Sequence, residues 1–330
     1  MQKQIGFVLI KPDAILRGLS IPLLQELSSR GIVVFRHKVV TLDHFMLNEL
    51  YDTTKAKYKD WWVMEEAYSI GPVVACLVYG SSNTFQTTAE WIRDIIGPTD
   101  PLKGRSDQLR ASFKGTHRIF NLIHASEDSS RVRHEANVVF NTEEIDDKHF
   151  ESLPQVRLEN IESTIADLTQ FTIDTNSNSF NLNQLRFQLK SKLWGHNLIT
   201  DKVRTSTTAK TCLAKLMSLA QLEEAVLEDN RPLTEELAAL HPLLSQQRMY
   251  ANLLVRCLIN ENVFEPELSD WNRLLNCLLE KDAYFSNAFD KIESDFQNFG
   301  IHLNKLQRII LLTEWIGEFS SHYKEKINSI

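Results

Sequence analysis

The chain is short of the features that mark secreted, disulfide-built or membrane-spanning proteins. Its four cysteines, Cys76, Cys212, Cys257 and Cys277, are scattered with no close pair and no C-x-x-C. That spacing argues against a disulfide frame or a cysteine zinc site and suits buried thiols in a reducing compartment. No apolar run approaches the roughly 18 residues needed to cross a bilayer. The opening apolar run ends at Lys11-Pro12-Asp13, too short and too soon charged for a secretory signal, and is expected to be a strand. A cytoplasmic location without membrane association is the expectation. With only 9 Pro and 11 Gly in 330 residues, the composition is that of an ordinary globular protein. No internal repeat recurs at a fixed period.

The length points to two domains, and the charge divides the same way. Residues 1–140 hold 17 Lys and Arg against 15 Asp and Glu, whereas residues 141–330 hold 19 against 28. A near-neutral half with local basic clusters fits a small anionic ligand. The acidic half argues against a nucleic-acid surface.

Strand-like and helix-like segments alternate in the first half. Strands are expected at Ile5–Ile10, Ile32–Leu42, Pro72–Tyr79 and Arg118–Ile123, where apolar runs are too short for buried helices. Helices are expected at Ser20–Arg30, after a cap at Asp43, at Trp62–Tyr68, Thr84–Ile96 and Ser129–Phe140. Gly97–Gly115 reads as a long loop. This order predicts an α+β, ferredoxin-like split βαβ domain, a four-stranded antiparallel sheet with helices on one face. Residues 141–154 are acidic, lack apolar periodicity and form the expected linker. From 155 to 330 a 3.6-residue apolar period dominates, predicting an all-α helical domain. Its stripes include Leu253, Leu254, Leu258 and Ile259, then Leu303, Leu306, Ile310 and Trp315–Ile316. Loops are expected at Thr172–Asn183 and Asn260–Pro266.

Chemistry-bearing residues recur at segment ends in the first half. Lys11-Pro12-Asp13 follows the first strand, and Gly97-Pro98-Thr99-Asp100-Pro101 follows a helix. Arg110 sits in the long loop, Asn121-Leu122-Ile123-His124-Ala125-Ser126 closes the fourth strand, and Glu135 lies on the last helix. In this order and spacing, residues 3–140 resemble the nucleoside diphosphate kinase family, whose Asn-x-x-His-x-Ser hallmark stands here as Asn121, His124 and Ser126. The resemblance implies transfer of the γ-phosphate of a nucleoside triphosphate to a nucleoside diphosphate through a phosphohistidine. It implies ATP and other nucleoside tri- and diphosphates as partners, magnesium (Mg2+) carried by their phosphates rather than by the protein, and a homo-oligomer.

By matching position, His124 is the nucleophile and Tyr51 stands beside it, supported by Ser126 and Glu135. Lys11, Arg93, Thr99, Arg110 and Asn121 match phosphate and sugar ligands, and Trp62 offers a face for the base. The chemistry agrees with these roles. Imidazole is half-titrated near neutrality and leaves reversibly. Phosphoryl transfer needs positioning and positive charge around the equatorial oxygens, which Lys11, Arg93 and Arg110 supply. A site that reads phosphates and sugar implies broad base tolerance. Arg105 and Lys103, by contrast, read as solvated.

Several features depart from the family pattern, among them about two extra residues after Tyr51 and one between Arg110 and Asn121. Ala14 and Ala125 replace glycines, and Ala costs about 1 kcal/mol relative to Gly where φ is positive. Trp61-Trp62 stands where the family commonly stacks the base on Phe. Residues 155–330 have no counterpart in the minimal enzyme. They leave a second function open, a regulatory or scaffolding protein in which the kinase-like domain senses nucleotide or donates phosphate and the helical half binds a protein partner.

Overall fold

The structure, a computed structural model, describes residues 4–55, 61–80, 84–85, 87–140, 154–169, 182–204, 206–229, 233–260, 266–279 and 289–314. The expected linker over 141–154 and loop over 172–183 lie, apart from their last residues, outside the described residues. So do the interior of the loop expected at 260–266 and the stripe end at Trp315–Ile316.

The first half builds a four-stranded sheet from β1 (Gln4–Ile10), β2 (Val33–Val40), β3 (Val73–Gly80) and β4 (Ile123–Ala125), in the order β2-β3-β1-β4. Every neighbouring pair is antiparallel, as the ferredoxin-like reading requires. Between them run α1 (Pro12–Leu16), α2 (Ser20–Ser29), α3 (His44–Leu50), α4 (Asp52–Lys55), α5 (Trp62–Tyr68), α6 (Thr88–Ile96), α7 (Leu109–Ser112) and α8 (Ser129–Phe140). Side-chain alternation along a strand divides the core in two. Val8 and Ile10 of β1, with Val74, Cys76 and Val78 of β3, pack with Leu23, Leu24 and Leu27 of α2 and Ile92, Ile95 and Ile96 of α6. Phe7, Leu9, Ala75 and Leu77 pack with Leu47 and Leu50 of α3, Tyr68 of α5 and Val132, Ala136 and Val139 of α8. Helices therefore cover both faces, not one. The cause is visible in β1 and β3, whose apolar residues are continuous rather than alternating with polar ones. Each fully buried Leu, Val or Phe contributes roughly 1.5–3 kcal/mol.

Several boundaries move for identifiable reasons. α6 begins at Thr88 rather than Thr84, because Thr87 and Glu90 form a reciprocal capping box. The Asp43 side chain accepts the Met46 N–H at 2.8 Å and starts α3 as expected. β4 is three residues long and begins at Ile123, not Arg118. Thr116 and His117 N–H both donate to the Phe120 carbonyl, and Leu122 takes φ +72°, so the chain turns before it can pair. Pro12 starts α1, a helix absent from the sequence expectation, at the first position, where its missing N–H costs nothing.

The compact units divide as Met1–Phe180 and Asn181–Ile330. The helix α9 (Leu158–Thr169), grouped by sequence with the second half, packs on α2 and β2. Val156 N–H donates to the Val34 carbonyl at 2.9 Å, and Ile161 is fully buried in the first core. The second unit is helical: α10 (Leu182–Trp194), α11 (Asn197–Val203), α12 (Thr207–Glu228), α13 (Leu233–Asn260), α14 (Pro266–Leu279) and α15 (Phe289–Asn298), with residues 305–314 also helical. Its core gathers Leu193, Leu216, Leu254, Leu258, Trp271, Phe296 and Ile310. Leu253 and Ile259, counted in one stripe with Leu254 and Leu258, are exposed. They fall outside the narrow face that a 3.6-residue turn can bury.

Candidate active site

β4 aims its residues by the period of two. Ile123 and Ala125 face the α2–α6 core, so His124 between them faces the other side, where α8 and the end of α3 lie. Its register partner is Leu9 at the centre of the sheet. His124 Nε2 stands 2.8 Å from Glu135 Oε2, and Ser126 Oγ donates to the same oxygen at 2.7 Å. Glu135 is 2% exposed. Burial pushes its carboxyl up, but the His124 imidazole, the Ser126 hydroxyl and Arg131 outweigh burial and hold it below its ordinary value. Tyr51, at the C-terminal end of α3, meets the imidazole edge-on with ring centroids 5.2 Å apart, and its hydroxyl lies 2.6 Å from that of Tyr68. Burial raises the Tyr51 phenol further, so it stays protonated.

A second cluster adjoins the first through the backbone before His124. The Leu122 peptide is gripped at both ends: Asp13 Oδ2 accepts its N–H at 3.0 Å, and Lys11 N–H donates to its carbonyl at 2.9 Å. A branched residue at positive φ costs about 1 kcal/mol or more, and these two contacts hold it there. Arg110 then donates to the Ile123 carbonyl through Nε at 3.1 Å and through its terminal nitrogen at 2.6 Å, and to the Gly97 carbonyl at 2.9 Å. Gly97 has φ +83°, and a Cβ there would meet the Gln108 side chain at 2.9 Å. Only glycine suits that position.

The Lys11 ammonium donates to the Ile119 carbonyl and to Asn121 Oδ1, and lies 5.4 Å from the Tyr68 ring centroid. Burial lowers it to about 8, against the pull of Asp13. Burial likewise lowers Arg110 to about 10. Asn121 donates its amide to the Thr99 and Arg118 carbonyls, tying the loop to the strand.

His124, Tyr51, Ser126 and Glu135 thus form one contact set, and Lys11, Arg110 and Asn121 a second. Arg93 and Thr99 are exposed. Arg93 lies close enough to Arg110 to depress it. Of the tryptophan pair, Trp61 is buried with its indole N–H on Asn48 Oδ1 at 2.7 Å, whereas Trp62 is 46% exposed. Ala125 pairs with Val8 in the sheet and is not among the positive-φ residues, and Ala14 is buried within α1. Neither replacement strains the backbone. Arg105 is exposed as expected, and at the surface it forks onto Asp94 at 3.1 and 3.2 Å.

The nucleoside diphosphate kinase family model matches residues 4–145. The nucleoside diphosphate kinase of Fervidobacterium nodosum is 32% identical over 145 residues, covering 44% of this chain and 94% of that protein. The chain belongs to the nucleoside diphosphate kinase family. The Thermosipho africanus enzyme is also 32% identical, over 147 residues and 94% of its length. The crystal structure of the Aquifex aeolicus nucleoside diphosphate kinase aligns at 27% identity and TM-score 0.38, covering 42% of this chain and 95% of that one.

Sequence reading missed three neighbours of the site. Arg131 precedes Glu135 by four residues on α8, a spacing that places them side by side. Asp13 carries no signal beyond its place in Lys-Pro-Asp, because its partner, the Leu122 N–H, lies 109 residues away. Tyr68 carries no local signal, because only packing brings it to Tyr51.

Proposed function

We propose that the first unit is a base-tolerant nucleoside diphosphate kinase working by alternate phosphorylation and dephosphorylation of His124. The observation that carries the reading is the 2.8 Å contact between His124 Nε2 and the buried Glu135 carboxylate. A carboxylate accepts, so it holds the ring proton on Nε2 and leaves the lone pair on Nδ1. Nδ1 attacks the γ-phosphorus in line. The Nδ1–P bond forms, the bond from phosphorus to the bridging β–γ oxygen breaks, and the nucleoside diphosphate leaves with that oxygen. A second nucleoside diphosphate takes the phosphoryl group by the reverse steps. The imidazolium character that grows on the ring is stabilised by Glu135, which Ser126 helps orient.

Lys11 and Arg110 supply positive charge beside the histidine, with Arg93 nearer the surface and the Thr99 hydroxyl as a further donor. Asn121 Oδ1 has a second lone pair for a ribose hydroxyl. The exposed face of Trp62 is available for stacking a base of any identity. Magnesium would find its oxygen ligands on the nucleotide phosphates, since the Glu135 carboxylate is taken by His124 and Ser126 and the residues assigned to the phosphates, Lys11, Arg93 and Arg110, are cations. It would supply charge neutralisation on the β- and γ-phosphates. We assign the helical residues from 155 onward an accessory role, with α9 structurally part of the kinase unit.

Incubation with γ-labelled ATP tests the reading. Acid-labile, base-stable label is expected on the wild-type chain, chased off by GDP and absent from His124→Ala. An unlabelled wild-type chain that still binds nucleotide would overturn it and favour nucleotide sensing.

A further inference from the structure

Glu135 divides its two oxygens between two kinds of partner. Oε2 takes both His124 Nε2 and Ser126 Oγ, while Oε1 faces Arg131 Nε at 3.4 Å. The other two nitrogens of Arg131 are held as well: one lies 2.8 Å from Asp52 Oδ1, and one donates to the Leu50 carbonyl at 3.0 Å. Each nitrogen of the guanidinium therefore has its own partner, and the side chain is only 15% exposed. Arg131 is pinned between the α3–α4 junction, next to Tyr51, and the carboxylate behind His124.

We propose that Arg131 is a positioning residue for phosphoryl transfer: by holding Oε1 of the buried Glu135, its guanidinium joins Ser126 in keeping the carboxylate ionised and turned toward the imidazole, so that the ring proton stays on Nε2. A carboxylate sealed from water needs a cation or several donors to remain charged. Without the guanidinium, Glu135 takes up a proton more readily and rotates more freely. A protonated carboxyl is a poor acceptor for Nε2–H, so the imidazole populates the tautomer with its proton on Nδ1. That form has its lone pair on Nε2 and none on the Nδ1 that would attack the phosphorus. Arg131 thus acts through Glu135, in the way that outer partners orient histidines elsewhere.

The kinetic consequence rests on the reading of His124 as phosphate carrier, but the effect on the ring tautomer does not. Two variants separate the possibilities. Arg131→Gln keeps packing and hydrogen-bond donation but removes the charge, and Arg131→Lys keeps the charge. Imidazole nitrogen NMR on the full chain is expected to show the Nε2–H form of His124 in wild type and R131K, and a tautomer mixture in R131Q. Single-turnover labelling from ATP is expected to slow about 10-fold or more in R131Q, with the ADP dissociation constant within about twofold of wild type and most of the rate restored in R131K. An unchanged tautomer in R131Q overturns the proposal. Weaker ADP binding with an unchanged tautomer would instead make Arg131 a nucleotide ligand, and R131K behaving like R131Q would show that charge is not the cause. If the wild-type chain takes no label while its tautomer responds to R131Q, the kinase reading fails and the positioning role stands.

Discussion

Lys11 sits 4% exposed with its ammonium on two oxygens. Burial lowers its pKa to about 8, while Asp13 pulls it back toward its ordinary 10.5. The sign of the consequence is set by which form phosphate attracts. Under the proposed function, the amine is charged and attracts the ADP phosphates below about 8, and is neutral and does not above it. ADP affinity is therefore expected to fall as pH rises through about 8 and to level off below it. Calorimetric titration on either side of that pH checks this, with Lys11→Met as the flat control. A curve that stays level until about 10 would place Lys11 in a more hydrated setting than its contacts indicate. The same burial that makes Lys11 titrate early also points its charge at the backbone before His124, so one residue serves both strand geometry and charge.

At the level of elements, β4 and α9 each do what their sequences alone did not announce. β4 is short because the preceding turn uses Phe120 and Leu122 for backbone contacts rather than pairing. That turn is what lets Arg110, Lys11 and Asp13 reach carbonyls and an N–H adjoining the histidine. α9 follows the 141–153 segment and yet belongs to the first unit, with Ile161 fully buried in the same core as Leu24, Leu27 and Val34. Ile161→Ala is expected to destabilise the first unit by about 2–4 kcal/mol, measured as a lower denaturant midpoint with an unchanged slope. A surface-docked α9 would show less than about 0.5 kcal/mol.

Across the whole molecule, two units of different character share one chain. The helical unit buries an ion pair: Lys190 and Glu223 are 0% and 2% exposed, 2.6 Å apart, with Gln247 bonded to both. Removing one partner leaves a buried unpaired charge, which costs about 3–5 kcal/mol. Lys190→Met is therefore expected to lower the melting of the helical unit selectively, and Ile161→Ala that of the first unit. Scanning calorimetry would resolve two transitions and show which one each variant moves. A single transition shifted by both would mean that the units unfold as one.

The sequence by itself determined the strand order, the longer helices, the family and the motif residues Asn121, His124, Ser126 and Glu135, because periodicity and spaced motifs are local or ordered along the chain. The surplus apolar residues of β1 and β3 were present too, but their meaning, two covered faces, required seeing α8 and α3 packed on the second. Only tertiary structure decided which way His124 points, that Lys11 and Arg110 are buried, that α9 joins the first core, and that Arg131 stands behind Glu135. The physical reason is distance along the chain. Lys11 meets Asn121 across 110 residues and Arg131 meets Leu50 across 81. No local propensity encodes such contacts, and they form only when two packed faces bring the segments together.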